Sequence, residues 1–184
     1  MLLQFLKNPK HTGALHSSSH SLSCMMTKNI GIQNAKYIAE IGPGLGVFTQ
    51  KILNLKQKDA RFFAIEINPY FAKKLQEKFE NLEVENKNAN QILSIMQNKQ
   101  IAQLDVVVSG IPWSLLKAKE QDILLKNIHH SLKNGGYFST FAYILPTPKT
   151  ILFRKKLQKY FSHIKTSKVV WNNLPPAFVY YCKK

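Results

Sequence analysis

Acidic side chains are scarce in this chain. Ten Asp and Glu stand against 26 Lys and Arg in 184 residues, a net charge of +16. That excess argues for a polyanionic partner, either a nucleic acid or an anionic membrane surface, and charge alone does not choose between them. Cysteine is nearly absent as well. Cys24 and Cys182 lie near opposite ends of the sequence, which gives no metal-ligand spacing and no disulfide framework, so a reducing intracellular compartment is the simplest expectation. No apolar run reaches the roughly 18 residues that a membrane-crossing helix requires. The apolar start Met1-Leu2-Leu3-Gln4-Phe5-Leu6 lacks a leading positive region and is too short for a secretory signal. Also missing is Gly-x-x-x-x-Gly-Lys-Ser/Thr, the loop that cradles nucleotide triphosphates. There is no internal repeat and no second domain. With 45% hydrophobic residues, the length suits one globular domain with a full core.

What is present begins at Glu40-Ile41-Gly42-Pro43-Gly44-Leu45-Gly46. An apolar run with strand character, Tyr37-Ile38-Ala39, leads into it, and Val47-Phe48-Thr49-Gln50-Lys51-Ile52-Leu53 follows with helical spacing. Glycines here allow positive φ and a close ligand approach. The turn is acidic at its start and carries no lysine, so a pyrophosphate is a poor match. A cationic or hydroxyl-rich ligand is a better one. S-adenosylmethionine has a cationic amino-acid end and a ribose diol, and it fits. A second acid supports this. Arg61-Phe62-Phe63-Ala64-Ile65-Glu66 reads as a strand ending in a carboxylate, 20 residues after Gly46. An acid at the end of the second strand accepts hydrogen bonds from a ribose in nucleotide-binding α/β domains. Dinucleotide enzymes use the same device, but their Gly-x-Gly-x-x-Gly differs from the Gly-x-Gly-x-Gly of this turn.

The rest of the sequence alternates between strand and helix patterns. Strands are expected over residues 35–41, 61–66, 82–85, 104–108 and 137–143, with a closing antiparallel pair at 163–170 and 177–182. Helices are expected over 46–55, from Pro69 through Phe79, after a cap at Asn90, over 114–132 and over 150–160, with Asn134-Gly135-Gly136 stopping the fourth. The predicted fold class is α/β: a mostly parallel seven-stranded sheet, Rossmann-like, with helices on both faces and an antiparallel hairpin at its edge. Residues 1–30 read as a separate helical prelude, in which Leu22, Met25 and Met26 share one helix face.

Ligands in open α/β sheets sit beyond the carboxyl ends of the strands. That rule selects Glu40, Gly42, Gly44 and Gly46 after strand one, and Glu66 with Ile67 and Asn68 after strand two. It also selects Asn88 and Ala89 after strand three, where a polar group could meet an adenine amine, and Ser109-Gly110-Ile111-Pro112-Trp113 after strand four. The last loop is expected to face a transferable methyl group. Its outward carbonyls could aim an amine, with Ser109 also touching the cofactor. The loop holds no histidine or carboxylate, so proton removal is left to water or to Tyr143 at the end of strand five.

On these residues the chain resembles class I S-adenosylmethionine-dependent methyltransferases. The turn of residues 40–49 is close to both rRNA adenine dimethyltransferases and bacterial phospholipid N-methyltransferases. Three further segments are similar to the phospholipid enzymes: Ser109-Gly110-Ile111-Pro112; Asn173-Leu174-Pro175-Pro176-Ala177; and residues 5–26 with Pro9, Gly13-Ala14 and Ser18-Ser19, like their membrane-associating N-terminus. The chain departs from that pattern at His16-Ser17-Ser18-Ser19-His20, where a Pro often precedes the paired serines, and at Asn88, where many relatives carry Asp. The resemblance implies methylation of the amino headgroup of phosphatidylethanolamine toward phosphatidylcholine, by a cytoplasmic protein peripheral on the inner face of the membrane. Its partners would be an anionic membrane surface and an amino-phospholipid. The alternative is an rRNA adenine N6-methyltransferase, with Trp113 stacking on a flipped base. Against it, those enzymes place Asn where this chain has Gly110.

Overall fold

The structure, a computed structural model, describes residues 18–144 and 148–184. Residues 5–17 of the segment likened above to a membrane-associating N-terminus lie outside the described residues. Seven strands build one sheet: β1 (Tyr37–Ile41), β2 (Arg61–Ile65), β3 (Glu83–Glu85), β4 (Leu104–Ser109), β5 (Leu132–Tyr143), β6 (His163–Thr166) and β7 (Ala177–Lys183). Their order is β3-β2-β1-β4-β5-β7-β6. The first five are parallel, and β7 runs antiparallel between β5 and β6. The expected fold class therefore forms. The chain order reverses between β1 and β4, which places the topological switch point beside the glycine turn.

Six helices are described: α1 (His20–Met26), α2 (Val47–Leu55), α3 (Pro69–Lys78), α4 (Ile92–Asn98), α5 (Ala118–Ser131) and α6 (Pro148–Tyr160). They divide between the two faces because strand side chains alternate. In β4, Val107 joins a core with Ile92, Leu124, Leu125, Phe153 and Leu157, which come from α4, α5 and α6. Its neighbours Val106 and Val108 join the opposite core with Leu22, Met26, Phe48, Ile52 and Leu75, from α1, α2 and α3. All three valines are buried, as their β-branched run suggested. No described helix is long and apolar enough to cross a membrane.

Three local expectations are corrected. Asn90 does not cap α4. The cap is Asn88, whose Oδ1 accepts from the Asn90 backbone N–H at 2.9 Å, while Gln91 Oε1 accepts from Asn88 N–H at 3.2 Å. This reciprocal pair starts a 3₁₀ turn that leads into the helix. The expected helix of residues 114–132 is broken in two. A 3₁₀ turn at Trp113–Leu115 precedes α5, and the Glu120 carboxylate accepts from Lys117 N–H to start it. Finally, Asn134-Gly135-Gly136 does not stop α5, because Leu132 is already extended. These residues instead form an irregularity within β5, between the Leu104–Leu132 and Val106–Tyr137 pairings.

Residues 20–30 are integral to the sheet's core rather than a separate prelude. Leu22, Met26 and Ile30 are fully buried, and Ser139 Oγ donates to the Met26 carbonyl at 2.7 Å. Leu22→Ala is therefore expected to destabilise the protein by about 2–5 kcal/mol in urea unfolding. A loss well under about 1 kcal/mol would show that α1 lies outside the cooperative unit.

Candidate functional site

The carboxyl ends of β1, β2 and β4 bring their following segments together by backbone bonds. Gly42 N–H donates to the Ile65 carbonyl at 2.9 Å, and Gly110 N–H donates to the Ile41 carbonyl at 2.8 Å. The turns after β1 and β4 are nearly in contact. A Cβ on Gly110 would stand 2.4 Å from the Gly42 carbonyl oxygen. No other residue type can hold this approach. By contrast, a Cβ on Gly44, where φ is +55°, would meet nothing within 4 Å. Gly44 thus needs its freedom for backbone shape, and the space over it is open.

Two carboxylates are buried around this turn. Glu40, in β1, has one oxygen accepting from Thr49 Oγ1 at 2.6 Å, while Oε1 is buried without a hydrogen-bond partner. Burial, with a smaller push from Glu66, raises its pKa from 4.5 to about 8 despite the Thr49 bond. Glu66, just past β2, accepts from Gly44 N–H at 3.1 Å and from Asn68 N–H at 2.9 Å. Burial pushes its pKa up as well, and these backbone donors partly oppose the shift. Among the described residues, no cation forms an ion pair with either acid. A buried carboxylate oxygen left without a donor is costly. The site therefore suits a ligand that brings hydrogen-bond donors or positive charge, and S-adenosylmethionine, with its ammonium, sulfonium and ribose hydroxyls, meets that test. Next to Glu66, the Ile67 side chain is 42% exposed. It offers an apolar surface on which a flat ring could rest.

The third strand end is less open. Asn88 Oδ1 serves as the cap described above, and Ala89 begins the 3₁₀ turn. Asn90 Oδ1 is a second buried oxygen without a partner. A cavity of about 360 Å³ lies against the far side of the glycine turn, lined by Gly44, Leu45, Lys74, Leu75, Glu77 and Lys78. It shares only the turn with the strand-end site.

The loop after β4 is held from three sides. Trp113 Nε1 donates to Thr140 Oγ1 at 2.8 Å, and Thr140 Oγ1 donates to the Ser109 carbonyl at 3.3 Å. Gln121 Nε2 donates to the Trp113 carbonyl at 2.7 Å. The Pro112 carbonyl is taken by Leu115 N–H, which removes Pro112 from the set of free acceptors and leaves it the stiffening role. Among the described residues, the carbonyls of Gly110 and Ile111 accept no backbone hydrogen bond. Trp113 itself is a core residue, 2% exposed and stacked on Phe153 at 4.8 Å. It is not placed to receive a flipped base. Tyr143 packs edge-on against Phe141, and burial raises its phenol pKa above the usual 10. Burial thus disfavours its ionised form.

Thr49, Gln121 and Thr140 were not singled out in the sequence. For Thr49 a signal existed: a hydroxyl nine residues after Glu40, on the buried face of α2. Gln121 and Thr140 gave none, because their partners are backbone atoms and an indole remote in sequence.

Comparison with known proteins adds the following. The family model described as a methyltransferase domain matches residues 39–138. An ornithine lipid N-methyltransferase of Singulisphaera acidiphila is 29% identical over 183 residues, covering 98% of this chain and 92% of that protein. An O-methyltransferase from Bacillus cereus, solved with S-adenosylhomocysteine, superposes with a TM-score of 0.71 at 14% identity over 92% of this chain and 84% of that one. Fibrillarin from Aeropyrum pernix, solved with natively bound S-adenosylmethionine, gives 0.66 at 14% identity over 88% of this chain and 72% of that one. At such identities the two structures report the fold alone.

The raised pKa of Glu40 has a sign in both stability and binding. The folded state holds an extra proton between pH 4.5 and about 8. The contribution of Glu40 to stability is thus full below pH 4.5 and lost as pH rises through about 8. A cationic ligand reverses the preference and expels that proton. Calorimetry of S-adenosylmethionine binding at pH 7, in buffers of different ionisation enthalpy, is expected to show proton release and an affinity that rises toward pH 8. Glu40→Gln is expected to remove the release and to weaken binding about ten- to hundredfold. Binding with no proton change in either protein would refute the assignment of Glu40.

Proposed function

The chain belongs to the methyltransferase domain family, and from that premise we propose that it methylates the amino headgroup of a membrane lipid, with S-adenosylmethionine as donor. The observation that carries the lipid assignment is the relationship to the ornithine lipid N-methyltransferase, which extends over nearly the whole of both chains. An ornithine lipid is accordingly the first acceptor to test. Phosphatidylethanolamine, implied by the Ser109-Gly110-Ile111-Pro112 and Asn173-Leu174-Pro175-Pro176-Ala177 resemblances, is the second. The rRNA reading loses its best support, since Trp113 is committed to the core.

When bound, the cofactor supplies an electrophilic methyl group on a sulfonium. The chain's own residues do the rest. Glu66 would receive ribose hydroxyls, Glu40 would accept from the ammonium end, and Ile67, Asn88 and Ala89 would border the adenine. Gly42, Gly44 and Gly46 keep the turn free of side chains. On the acceptor side, Gly110 and Ile111 offer free carbonyls to the N–H bonds of the incoming amine, which turns its lone pair away from them. Ser109 and Pro112 fix where those carbonyls stand. Positioning of this kind supplies much of the rate in an in-line displacement. The proton left on nitrogen goes to solvent in this reading, since burial disfavours the Tyr143 phenolate.

Tyr143→Phe is therefore expected to keep turnover within about tenfold of the wild type, short of the hundredfold or greater loss that removing a general base gives. A larger loss, with unchanged cofactor affinity, would restore Tyr143 to the chemistry. Incubation with methyl-labelled cofactor and, separately, ornithine lipid, phosphatidylethanolamine and ribosomal RNA is expected to place label in a lipid extract. Label in RNA alone would overturn the lipid reading.

A further inference from the structure

Exposed apolar side chains are not spread evenly over this molecule. Strand β6 is parallel to β5, since both are antiparallel to β7. The connection from β6 to β7 therefore lies at the same sheet edge as the loop after β4. It is fastened there: Ile144 N–H donates to the Pro176 carbonyl at 3.0 Å, and Val170 pairs with Ala177. Asn173, 5% exposed, holds the connection from within. Its Oδ1 accepts from Ser19 N–H at 2.9 Å and its Nδ2 donates to the Pro175 carbonyl at 2.8 Å. On this fixed loop Trp171 and Leu174 stand out, 69% and 67% exposed. The start of α6 lies at the same edge, anchored by Phe153 against Trp113, and it adds Ile151 and Leu152, 59% and 55% exposed. Leu115 in the 3₁₀ turn after β4 is exposed too.

Cations outnumber acids in the segments that carry this patch, and Asp122 of α5, which reaches α6, is paired with Lys156 at 2.9 Å. None of the ten Asp and Glu lies beyond Asp122, whereas eleven of the 26 Lys and Arg do. Arg154, Lys155 and Lys168, all exposed, come from the same helix and loop as the apolar residues. A rigid loop that exposes Trp and Leu beside an excess of cations has a simple physical complement. It is an anionic bilayer surface, where the ring and aliphatic chains enter the headgroup–acyl boundary and the cations meet lipid phosphates. A nucleic acid would be met mainly by stacking aromatics and guanidinium groups, and four of the five apolar members here are aliphatic.

We propose that Trp171 and Leu174, supported by Ile151 and Leu152, form a docking surface for a bilayer containing anionic lipid. Docking there would present the Gly110–Ile111 carbonyls to lipid headgroups. The inference rests on the lipid-acceptor reading and deepens it.

The chain has two tryptophans, and Trp113 is buried, so Trp171 reports on its own surroundings. The full chain is titrated with phosphatidylcholine–phosphatidylglycerol vesicles and with pure phosphatidylcholine vesicles. With the mixed vesicles, emission is expected to shift to the blue and to be quenched by lipids brominated near the headgroup. Trp171→Phe should remove the shift, and Trp171→Ala with Leu174→Ala should weaken vesicle affinity by about tenfold or more. That double variant should keep wild-type turnover on a short-chain, water-soluble amino lipid. Absence of vesicle binding, binding with Trp171 emission unchanged, or a response to RNA in place of vesicles would each overturn the docking surface. If the wild type also fails to methylate the soluble amino lipid, the function reading falls with it. If turnover on that lipid persists, only the docking surface falls.

Discussion

Two carboxylates buried beside one glycine turn, with no cation among the described residues paired to either, are the constraint around which this structure is organised. Burial without a counter-charge raises both pKa values and leaves Glu40 Oε1 without a donor. The chain carries 26 cationic side chains, yet none forms an ion pair with these acids among the described residues. An arrangement that disfavours the empty site is one that favours a cationic, donor-rich occupant. The sheet makes it possible: β1 and β2 end side by side, so the two acids arrive at one place from different strands.

The acceptor side obeys a different economy, one of backbone rather than charge. Gly110 comes so close to the Gly42 carbonyl that the two turns behave as one surface. The Trp113–Thr140–Ser109 chain of hydrogen bonds, with Gln121 behind it, then fixes the direction of the peptide groups between them. A methyl acceptor needs orientation more than it needs a strong base, and a braced loop with two carbonyls that accept no backbone hydrogen bond among the described residues supplies orientation. The same loop faces the sheet edge that gathers exposed Trp171, Leu174, Ile151 and Leu152.

Much of this was legible in the sequence, for physical reasons. The glycine turn with an acid before it, the acid closing β2 and the β-branched run of β4 each carry local signals, and they recover the sheet and the meeting of the two acids at its switch point. What could not be read depends on partners distant in sequence. Trp113 looks like a surface stacking residue until Phe138, Phe153 and Thr140 are seen around it. Asn90 looks like a cap until Asn88 is seen to make the bond. The pairing of Asn134-Gly135-Gly136 with a helix end fails because β4 claims Leu132 first. The burial that disfavours ionisation of Tyr143 is likewise set by packing against residues such as Phe141.

The central claim is that the acids of the glycine turn hold S-adenosylmethionine. A crystal structure of the protein with the cofactor or its demethylated product tests it most directly. The account predicts ribose hydroxyls on the Glu66 carboxylate and a ligand-derived donor satisfying Glu40 Oε1, with Ile67 against the adenine. A ligand bound elsewhere, or a strand-end crevice closed by side chains with Glu40 still unpartnered, would contradict it.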